Sequence, residues 1–215
     1  MRPAVPAEAP RNCPLCPRLV AFRAANAESE PSWFNGAVPS FGDQRARLIV
    51  VGLAPGLRGA NRTGRPFTGD YAGDLLYETL SDFGFARGRY AASPDDGLEL
   101  VDCLITNAVR CVPPENKPTP AEIGTCRPFL VSRLAASEGV RAILALGRIA
   151  HDSTLAALEA RKAAFPFAHG ARHKVDAPFV LFNSFHCSRY NTNTGRLTRQ
   201  MFRDVFAAIR AHLGK

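Results

Sequence analysis

The sequence predicts an α/β fold: a three-layer α/β/α sandwich with a central four-stranded, mainly parallel sheet. Four near-continuous apolar runs lie at residues 48–53, 100–106, 142–146 and 179–184. Such runs are typical of parallel strands that are buried on both faces. Helical patterns alternate with these runs, as the crossovers between parallel strands require. The hydrophobic content of 46% belongs to a globular chain rather than a disordered one.

Each predicted strand ends in a turn or a polar segment, and most are followed by a helical pattern. The strand at 48–53 precedes a Gly- and Arg-rich loop and a helix at 71–82. The strand at 100–106 precedes a helix at 120–136, that at 142–146 a helix at 148–159, and that at 179–184 a helix at 197–211. Ligands of such sheets bind beyond the carboxyl ends of the strands. We therefore expect the site in segments 54–69, 107–116, 147–148 and 185–195.

Length and charge indicate one domain and a polyanionic partner. A chain of 215 residues predicts a single domain spanning 1–215, here with an N-terminal arm that bears two cysteines. The chain has 27 basic and 19 acidic residues, a net charge of +8. Residues 1–107 hold 11 basic and 12 acidic residues, whereas residues 108–215 hold 16 and 7. This excess of basic residues favours a polyanionic binding partner. A basic face that is simply exposed to solvent explains the net charge equally well.

The sequence also argues against several classes of protein. No apolar run reaches the roughly 18 residues of a membrane span, and the N-terminus lacks the apolar segment of a secretion signal. We therefore expect a cytoplasmic protein, whose six cysteines are ligands, nucleophiles or core residues rather than disulfides. Cys103 is expected in the core of its strand, and no role is assigned to Cys187. No glycine-rich nucleotide-binding motif follows the first strand.

The other four cysteines fall outside the predicted strands and favour an all-thiolate metal site. Cys13 and Cys16 form a C-x2-C pair beside prolines, and Cys111 and Cys126 are separated by 14 residues. A zinc ribbon normally supplies a second close pair, whereas iron–sulfur clusters accept wider spacings. The spacing therefore favours a cluster but leaves the identity of the metal open.

Three polar stretches follow the predicted strands. They read G-L-A-P-G at 52–56 with G-A-N-R-T-G-R-P-F-T-G-D at 59–70, T-N-A-V-R-C-V-P-P-E-N-K-P at 106–118, and H-C-S-R-Y-N-T-N-T-G-R at 186–196. The first and third resemble motifs of the type-5 uracil-DNA glycosylases, and the second resembles a block shared by types 4 and 5. The resemblance runs from residue 13 to about residue 206. It implies a DNA repair enzyme that flips uracil, and other deaminated bases, out of DNA and hydrolyses the N-glycosidic bond.

The resemblance also supplies a cofactor and a partner. In that family the four matching cysteines hold a 4Fe–4S cluster, which implies such a cluster on Cys13, Cys16, Cys111 and Cys126. The implied partner is DNA containing uracil or other deaminated bases. We expect a monomer that associates with the nucleoid.

Several residues of these motifs are expected to bind the flipped base. Phe67 would stack on the base, and Asn107 would hydrogen-bond its N3–H and O4 edge. Asn116 would contact the base or the water. The alternatives are a core phenylalanine, an Asx turn and a turn cap, respectively. The full set predicted to bind substrate is Gly52, Ala54, Phe67, Asn107, Asn116 and Asn191.

Two residues are predicted to be catalytic. By the resemblance, His186 donates to the developing anion at O2 of the base. Other branches place an Asn, Asp or Glu in the Gly-x-x-Pro segment, where this chain has the apolar Leu53 and Ala54. We therefore assign Asp70 as the carboxylate that orients water or stabilises the sugar cation. Asp74 is the alternative carboxylate, and helix N-capping is the alternative role of Asp70.

The DNA contacts are predicted as a group, since each arginine alone could simply be solvated. Arg189 and Tyr190 lie in the late loop, which by resemblance wedges into the duplex. Phosphate contacts are predicted for further arginines of the motifs. The predicted DNA-binding set is Arg62, Arg65, Arg189, Tyr190 and Arg196, with Arg199 as a further candidate.

Two other functions stay open from the sequence. One is a type-4-like, strictly uracil-specific glycosylase, against which the missing acid in Gly-x-x-Pro argues. The other is a catalytically silent iron–sulfur protein that only binds nucleic acid. A lyase would need an amine for a Schiff base. Only Lys117 lies within a motif, so a monofunctional enzyme is expected.

Overall fold

The computed structural model describes residues 6–214, in which strands and helices alternate along the chain. The strands are β1 (Phe41–Gly42), β2 (Leu48–Gly52), β3 (Ala86–Arg87), β4 (Glu99–Leu100), β5 (Cys103–Asn107), β6 (Ala142–Leu146), β7 (Arg172–Lys174) and β8 (Val180–Ser184). The helices are α1 (Pro17–Ser29), α2 (Ala60–Thr63), α3 (Tyr71–Asp82), α4 (Pro120–Ala135), α5 (Arg148–Ala157), α6 (Arg189–Asn193) and α7 (Arg199–Leu213). Among these described helices, none combines the length and apolarity that a bilayer crossing requires.

The main sheet has six strands in the order β1-β5-β2-β6-β8-β7. The four inner strands are parallel, as predicted, and the two outer strands are antiparallel to their neighbours. The predicted sheet of four strands is therefore too narrow. The outer strands have only two and three residues, too few to produce an apolar run in the sequence. A separate ribbon pairs β3 with β4.

Helices cover both faces of the sheet, which confirms the three-layer prediction. On β2, Leu48 and Val50 pack in one core cluster with residues of α3 and α7, such as Leu76 and Phe206. The alternate residues of β2 pack in a second cluster with residues of α4 and α5. A strand that is buried on both faces must be apolar throughout, and this explains its continuous run.

Several element boundaries differ from the sequence prediction, most of them by one or two residues, and two of the differences have a clear physical cause. The strand predicted at 100–106 is broken at Asp102, which has a left-handed φ of 54° and separates β4 from β5. The Asp102 carboxylate accepts from Arg47 at 2.6 Å, so the break is held by an ion pair. The last helix begins at Arg199 rather than residue 197, because the Thr198 side chain accepts from the Met201 N–H as its N-cap.

A third core cluster joins the N-terminal segment to the end of β5 and to α4. It includes Cys13, Cys111 and Cys126. Glu8 fixes this segment: its carboxylate accepts from the buried Arg110 at 3.0 Å and forms an ion pair with the buried Arg133. These contacts bring cysteines that are distant in sequence to one place.

Candidate active site

A cavity of about 600 Å³ opens at the carboxyl ends of β2, β5 and β8. It lies where an open α/β sheet is expected to bind its ligand. The loop after β2, the start of α3, the end of β5 and the loop after β8 each supply part of its wall. The lining residues are Leu53, Ala54, Pro55, Gly56, Leu57, Arg58, Gly59, Ala60, Phe67, Asp70, Tyr71, Ala72, Asn107, Asn116, His186, Ser188 and Arg189.

The cavity brings together most residues that the sequence predicts for the base and the chemistry. Residues predicted from all three motifs share it, although they are up to 135 positions apart in the chain. The predicted residues that line it are Ala54, Phe67, Asp70, Asn107, Asn116, His186 and Arg189.

An aromatic wall is formed by Phe67 and His186, whose rings stack with centroids 5.9 Å apart and planes at 27°. Phe67 has a left-handed φ of 53°, an uncommon backbone conformation for a non-glycine residue. Its ring lies against Gly52, where an added Cβ would come within 2.7 Å of Phe67 Cζ and would also meet Asn107 Oδ1. Gly52 therefore lies behind the lining and allows Phe67 and Asn107 to approach the strand.

Asn107 ends β5, with a side chain that is almost fully buried. Its Oδ1 has no hydrogen-bond partner among the described residues. A buried carbonyl oxygen without a partner costs about 1–3 kcal/mol. Among the described buried side-chain atoms that lack a partner, Asn107 Oδ1 is the one whose residue lines this cavity. Asn116 is exposed at the rim, and its φ of 58° places it in a tight left-handed turn with Glu115.

Asp70 is both the N-cap of α3 and a residue of the cavity wall. Its Oδ1 accepts from the Gly73 N–H at 3.2 Å, while Oδ2 lies against Gly59, where a Cβ would collide with it. Burial raises the pKa of the Asp70 carboxyl, and backbone hydrogen bonds from Gly73 and Ala72 oppose that rise. Asp74, one turn later, is exposed and does not line the cavity.

His186 faces the cavity as a neutral imidazole at neutral pH. Burial lowers the pKa of His186 to about 4. The Asn191 side chain donates from Nδ2 to the His186 carbonyl at 2.8 Å, and Ser188 caps α6. Asn191 therefore supports the His186 loop and is absent from the cavity lining, contrary to its prediction as a substrate contact.

The structure contradicts the prediction that Arg65 contacts DNA. Its side chain is 5% exposed, and the guanidinium donates two hydrogen bonds of 2.8 Å to Asp96, whose side chain is 1% exposed. It also lies 5.0–5.8 Å from the ring centroids of Phe41, Tyr77 and Tyr90. The sequence spacing gave no sign of this, because Asp96 lies 31 residues away in a loop.

The Arg65 network holds the loop that presents Phe67. The Tyr90 hydroxyl lies 3.3 Å from both the Phe67 carbonyl, to which it donates, and the Gly69 N–H, from which it accepts. The Tyr77 hydroxyl donates to the Pro66 carbonyl at 2.7 Å. Arg65 packs on both phenol rings and thereby orients them. Its role in this structure is to position the loop.

The remaining predicted DNA contacts are exposed, and one of them, Arg189, lines the cavity. Arg189 lies over the Tyr71 ring at 5.2 Å, and the Arg196 guanidinium lies over Phe185 at 4.7 Å. Tyr190 is 71% exposed. Arg62 is exposed on α2 and faces a different cavity. Arg199 forms an ion pair with Glu78, so its charge is partly neutralised.

Sequence reasoning missed three residues with polar side chains that line the cavity. Arg58 is exposed in the loop after β2, Tyr71 directly follows Asp70, and Ser188 follows His186 by two positions. Arg58 adds a positive charge at the rim, and Tyr71 adds a half-exposed ring. Both lie inside or next to the first motif, and their position next to predicted site residues was the available signal.

The four predicted ligand cysteines line one cleft between the N-terminal segment, the end of β5 and α4. None of the four forms a disulfide within the described residues. Burial raises the pKa of Cys111 to about 12, and the neighbouring Cys13, Cys16 and Cys126 add to that rise, so the four groups are close enough to interact. No group of three or more His, Cys, Asp or Glu residues in the described chain is arranged to hold a single metal ion.

The surroundings of the cysteines nevertheless fit a cluster. Cluster thiolates bind different irons and are spaced more widely than the ligands of one ion. The Arg110 N–H donates to Cys126 Sγ at 3.3 Å, a contact typical of cluster ligands. The buried Arg23 lines the same cleft and adds a fixed positive charge. Cys103 is fully buried in β5, as predicted, and Cys187 is buried with its thiol 3.4 Å from the Ala72 carbonyl.

Comparisons with known proteins agree with this geometry. A family model described as the uracil DNA glycosylase superfamily matches residues 39–210. The chain is 47% identical over 199 residues to a type-5 uracil-DNA glycosylase of Thermus thermophilus, covering 90% of each chain. It is 41% identical over 208 residues to a type-5 enzyme of Pyrobaculum aerophilum, covering 94% of this chain and 90% of that one. A type-5 enzyme of Mycobacterium tuberculosis is 42% identical over 204 residues, with 90% and 75% covered.

Proposed function

Because the chain belongs to the uracil-DNA glycosylase superfamily, and its relatives over nearly the whole length are type-5 enzymes, we propose that it releases uracil from DNA in base excision repair. One observation supports this most strongly. A single cavity holds a stacking ring, an unpaired buried amide, a carboxylate and a neutral imidazole. These are the groups that hydrolysis of an N-glycosidic bond requires.

In the proposed reaction, the flipped base stacks on Phe67 and hydrogen-bonds to the Asn107 amide. The bond between the sugar C1′ and the base nitrogen breaks, and its electron pair leaves with the base. The His186 imidazole donates an N–H to the developing negative charge at O2. The Asp70 carboxylate faces the sugar, stabilises the cationic C1′ and orients the attacking water. The water proton passes through Asp70 to solvent, and the released base is protonated from solvent.

The apolar Leu53 and Ala54 favour a type-5 assignment over the strictly uracil-specific type-4 alternative. They lie in the cavity wall, where a polar side chain would otherwise constrain the substrate. We extend the proposed substrates to other deaminated bases on this ground. An enzyme of broad specificity is distinguished from a uracil-specific one by its activity on duplexes that contain hypoxanthine, xanthine or 5-hydroxymethyluracil.

We further propose that Cys13, Cys16, Cys111 and Cys126 hold a 4Fe–4S cluster. Their common cleft and the N–H donated to Cys126 support this proposal. When bound, such a cluster would supply four iron–thiolate bonds that tie the N-terminal arm to α4, with no required part in base release. Binding of metal favours the thiolate form and would reverse the rise that burial causes in the Cys111 pKa.

The exposed arginines near the cavity support duplex DNA as the partner. Arg58 and Arg189 flank the opening, and the chain carries a net charge of +8. Contacts to phosphates would offset the few kcal/mol that flipping a base costs. The enzyme would act as a monomer in the cytoplasm, on the DNA of the nucleoid.

The test is release of base from a duplex with one U·G or U·A pair by the cluster-loaded protein. We expect His186→Ala to lower the rate about 10²–10³-fold, the cost of removing one oxyanion donor. Asp70→Asn keeps an N-capping oxygen but removes the charge, and should lower the rate about 10²-fold. The matched controls are Asp74→Asn and His212→Ala, which change exposed groups of the same types.

Each outcome decides a separate point. Absence of uracil release by the wild type, with duplex binding intact, would favour the catalytically silent alternative and reject the enzyme. Full activity of Asp70→Asn would reject only the carboxylate assignment. A larger loss of rate in Asp74→Asn than in Asp70→Asn would assign the catalytic carboxylate to Asp74 instead of Asp70.

A further inference from the structure

A second, open cavity of about 450 Å³ adjoins the first across helix α2. Ala60 of this helix lines the first cavity, while Arg62 and Thr63 line the second. The other walls come from Arg11, from the segment containing Trp33 and Phe34, and from a loop around Ser93. No aspartate or glutamate of the described chain lines it.

The walls of this cavity are held in place by hydrogen bonds. The Phe34 N–H donates to the Arg62 carbonyl at 3.0 Å, and the buried Asn61 donates to Asn35 Oδ1 at 2.9 Å. The Arg11 guanidinium donates to the Phe34 carbonyl at 2.7 Å and lies 4.6 Å from the centre of its ring. Segment 33–35 is thereby fixed to α2, so the cavity is part of the fold.

The chemistry of this cavity suits a nucleotide. Neither Arg11 nor Arg62 forms an ion pair within residues 6–214, so both positive charges are available to an anion. Arginine binds phosphate well, and Arg11 and Arg62 line the cavity together with the half-buried ring of Trp33. A phosphate site next to an aromatic ring is the arrangement by which proteins bind successive nucleotides of a strand.

We propose that this second cavity binds a flanking nucleotide of the same DNA strand whose base enters the first cavity. Its phosphate lies between Arg11 and Arg62, and its base or sugar contacts Trp33. Only the four residues of α2 separate the two cavities, so the bound nucleotide is a close neighbour of the flipped one in the strand. This inference rests on the proposed function, because it takes DNA as the ligand.

Trp33 gives a direct readout, since it is the only tryptophan of the chain. The probe is a duplex with one 2′-fluoro-deoxyuridine, whose glycosidic bond resists hydrolysis. We expect it to change Trp33 fluorescence. Ending the uridine strand at the lesion on one side should abolish the change, and ending it at the lesion on the other side should preserve it. A deoxynucleoside monophosphate alone should have little effect.

Three results would overturn the proposal. The first is duplex binding, seen by gel shift, without a change in Trp33 fluorescence. The second is equal loss of the signal on shortening either side. The third is an equal response to the free monophosphate, which would make this a site for free nucleotides.

Substitution of Arg11 provides an independent measurement. In a plot of log K for duplex binding against the logarithm of the salt concentration, the slope should become less steep by about one unit in Arg11→Ala, because one phosphate contact is lost. Arg11→Lys keeps the charge and should retain most of the slope. Arg45→Ala is the control, because Arg45 is exposed in the loop before β2, at the opposite end of the strands from the cavities. An unchanged slope in Arg11→Ala would reject the phosphate contact.

Failure of this proposal is distinguishable from failure of the proposed function. Uracil release without any Trp33 response would reject the second cavity and leave the enzyme intact. A strand-dependent Trp33 response without base release would reject the enzyme and leave a DNA-binding site.

Discussion

Replacement of Asp96 by asparagine should destabilise the fold, although Asp96 lies outside the active cavity. Its carboxylate accepts two hydrogen bonds of 2.8 Å from Arg65, and the two side chains are 1% and 5% exposed. Asparagine removes the negative charge and leaves the buried guanidinium without a counter-ion. Breaking a buried pair in this way typically costs about 3–5 kcal/mol.

The expected loss is large enough to measure by calorimetry or by urea unfolding. In a domain of this size 1 kcal/mol shifts the melting temperature by roughly 2–4 °C, so the shift should be about 6–20 °C. Glu99→Gln is the control, because the Arg87–Glu99 pair has the same chemistry with side chains 74% and 61% exposed. Exposed pairs contribute about 0–1 kcal/mol. Equal losses in the two variants would refute the reasoning.

The same pair also predicts a dependence on pH. The hydrogen bonds from Arg65 hold the pKa of Asp96 below its ordinary value. A lowered pKa in the folded state means that the stabilisation is present above the unfolded value, about 3.9, and is lost as the pH falls below it. The difference in stability between wild type and Asp96→Asn should therefore shrink in acid. A difference that grows in acid would contradict the assignment.

Four further predictions concern the cavity and the cysteines. Since burial lowers the pKa of His186 to about 4, base release should show no titration near pH 6.5, and a limb there that disappears in His186→Ala would reject the neutral donor. Burial raises the pKa of Asp70, so the acid limb of the rate should lie above the ordinary carboxyl range and should vanish in Asp70→Asn. Asn107→Ala should slow uracil release by about 5–150-fold, from the loss of about 1–3 kcal/mol of hydrogen bonding, and a rate equal to that of the wild type would remove Asn107 from substrate binding. Cys111→Ser should lose bound iron and brown colour, measured by iron analysis, whereas Cys103→Ser should keep both, and equal iron in the two variants would argue against the ligand assignment.

The sequence predicted those parts of the fold that depend on local pattern. The inner strands are buried on both faces, so their apolar runs are unmistakable, and the alternating helices fix their parallel direction. The outer strands β1 and β7 have two and three residues and are defined only by their neighbours. Asp102 illustrates another limit, because its left-handed break depends on an ion pair with Arg47, 55 residues away.

The candidate site was predictable where a residue follows a strand directly, and less so elsewhere. Asn107 ends β5 and His186 follows β8, and because the inner strands are parallel, the topology brings both residues to the same end of the sheet. Arg62 and Arg65 look alike in the motif, yet one is exposed and the other is buried against Asp96. Nothing in local spacing distinguishes them, because the distinction comes from a loop that follows α3.

The positions of Asp70 and His186 suggest how one cavity can serve both charges of the proposed reaction. Burial acts in opposite directions on the two groups, since it raises the pKa of a carboxyl and lowers that of an imidazole. For His186 the result is a neutral donor, which can stabilise an anionic base without forming an ion pair that would neutralise Asp70. For Asp70, backbone N–H groups at the start of α3 oppose the rise in pKa and favour the charged form. The negative group thus belongs to a helix N-terminus and the neutral donor to a strand end, so the sugar cation and the base anion would each meet a separate element of the fold.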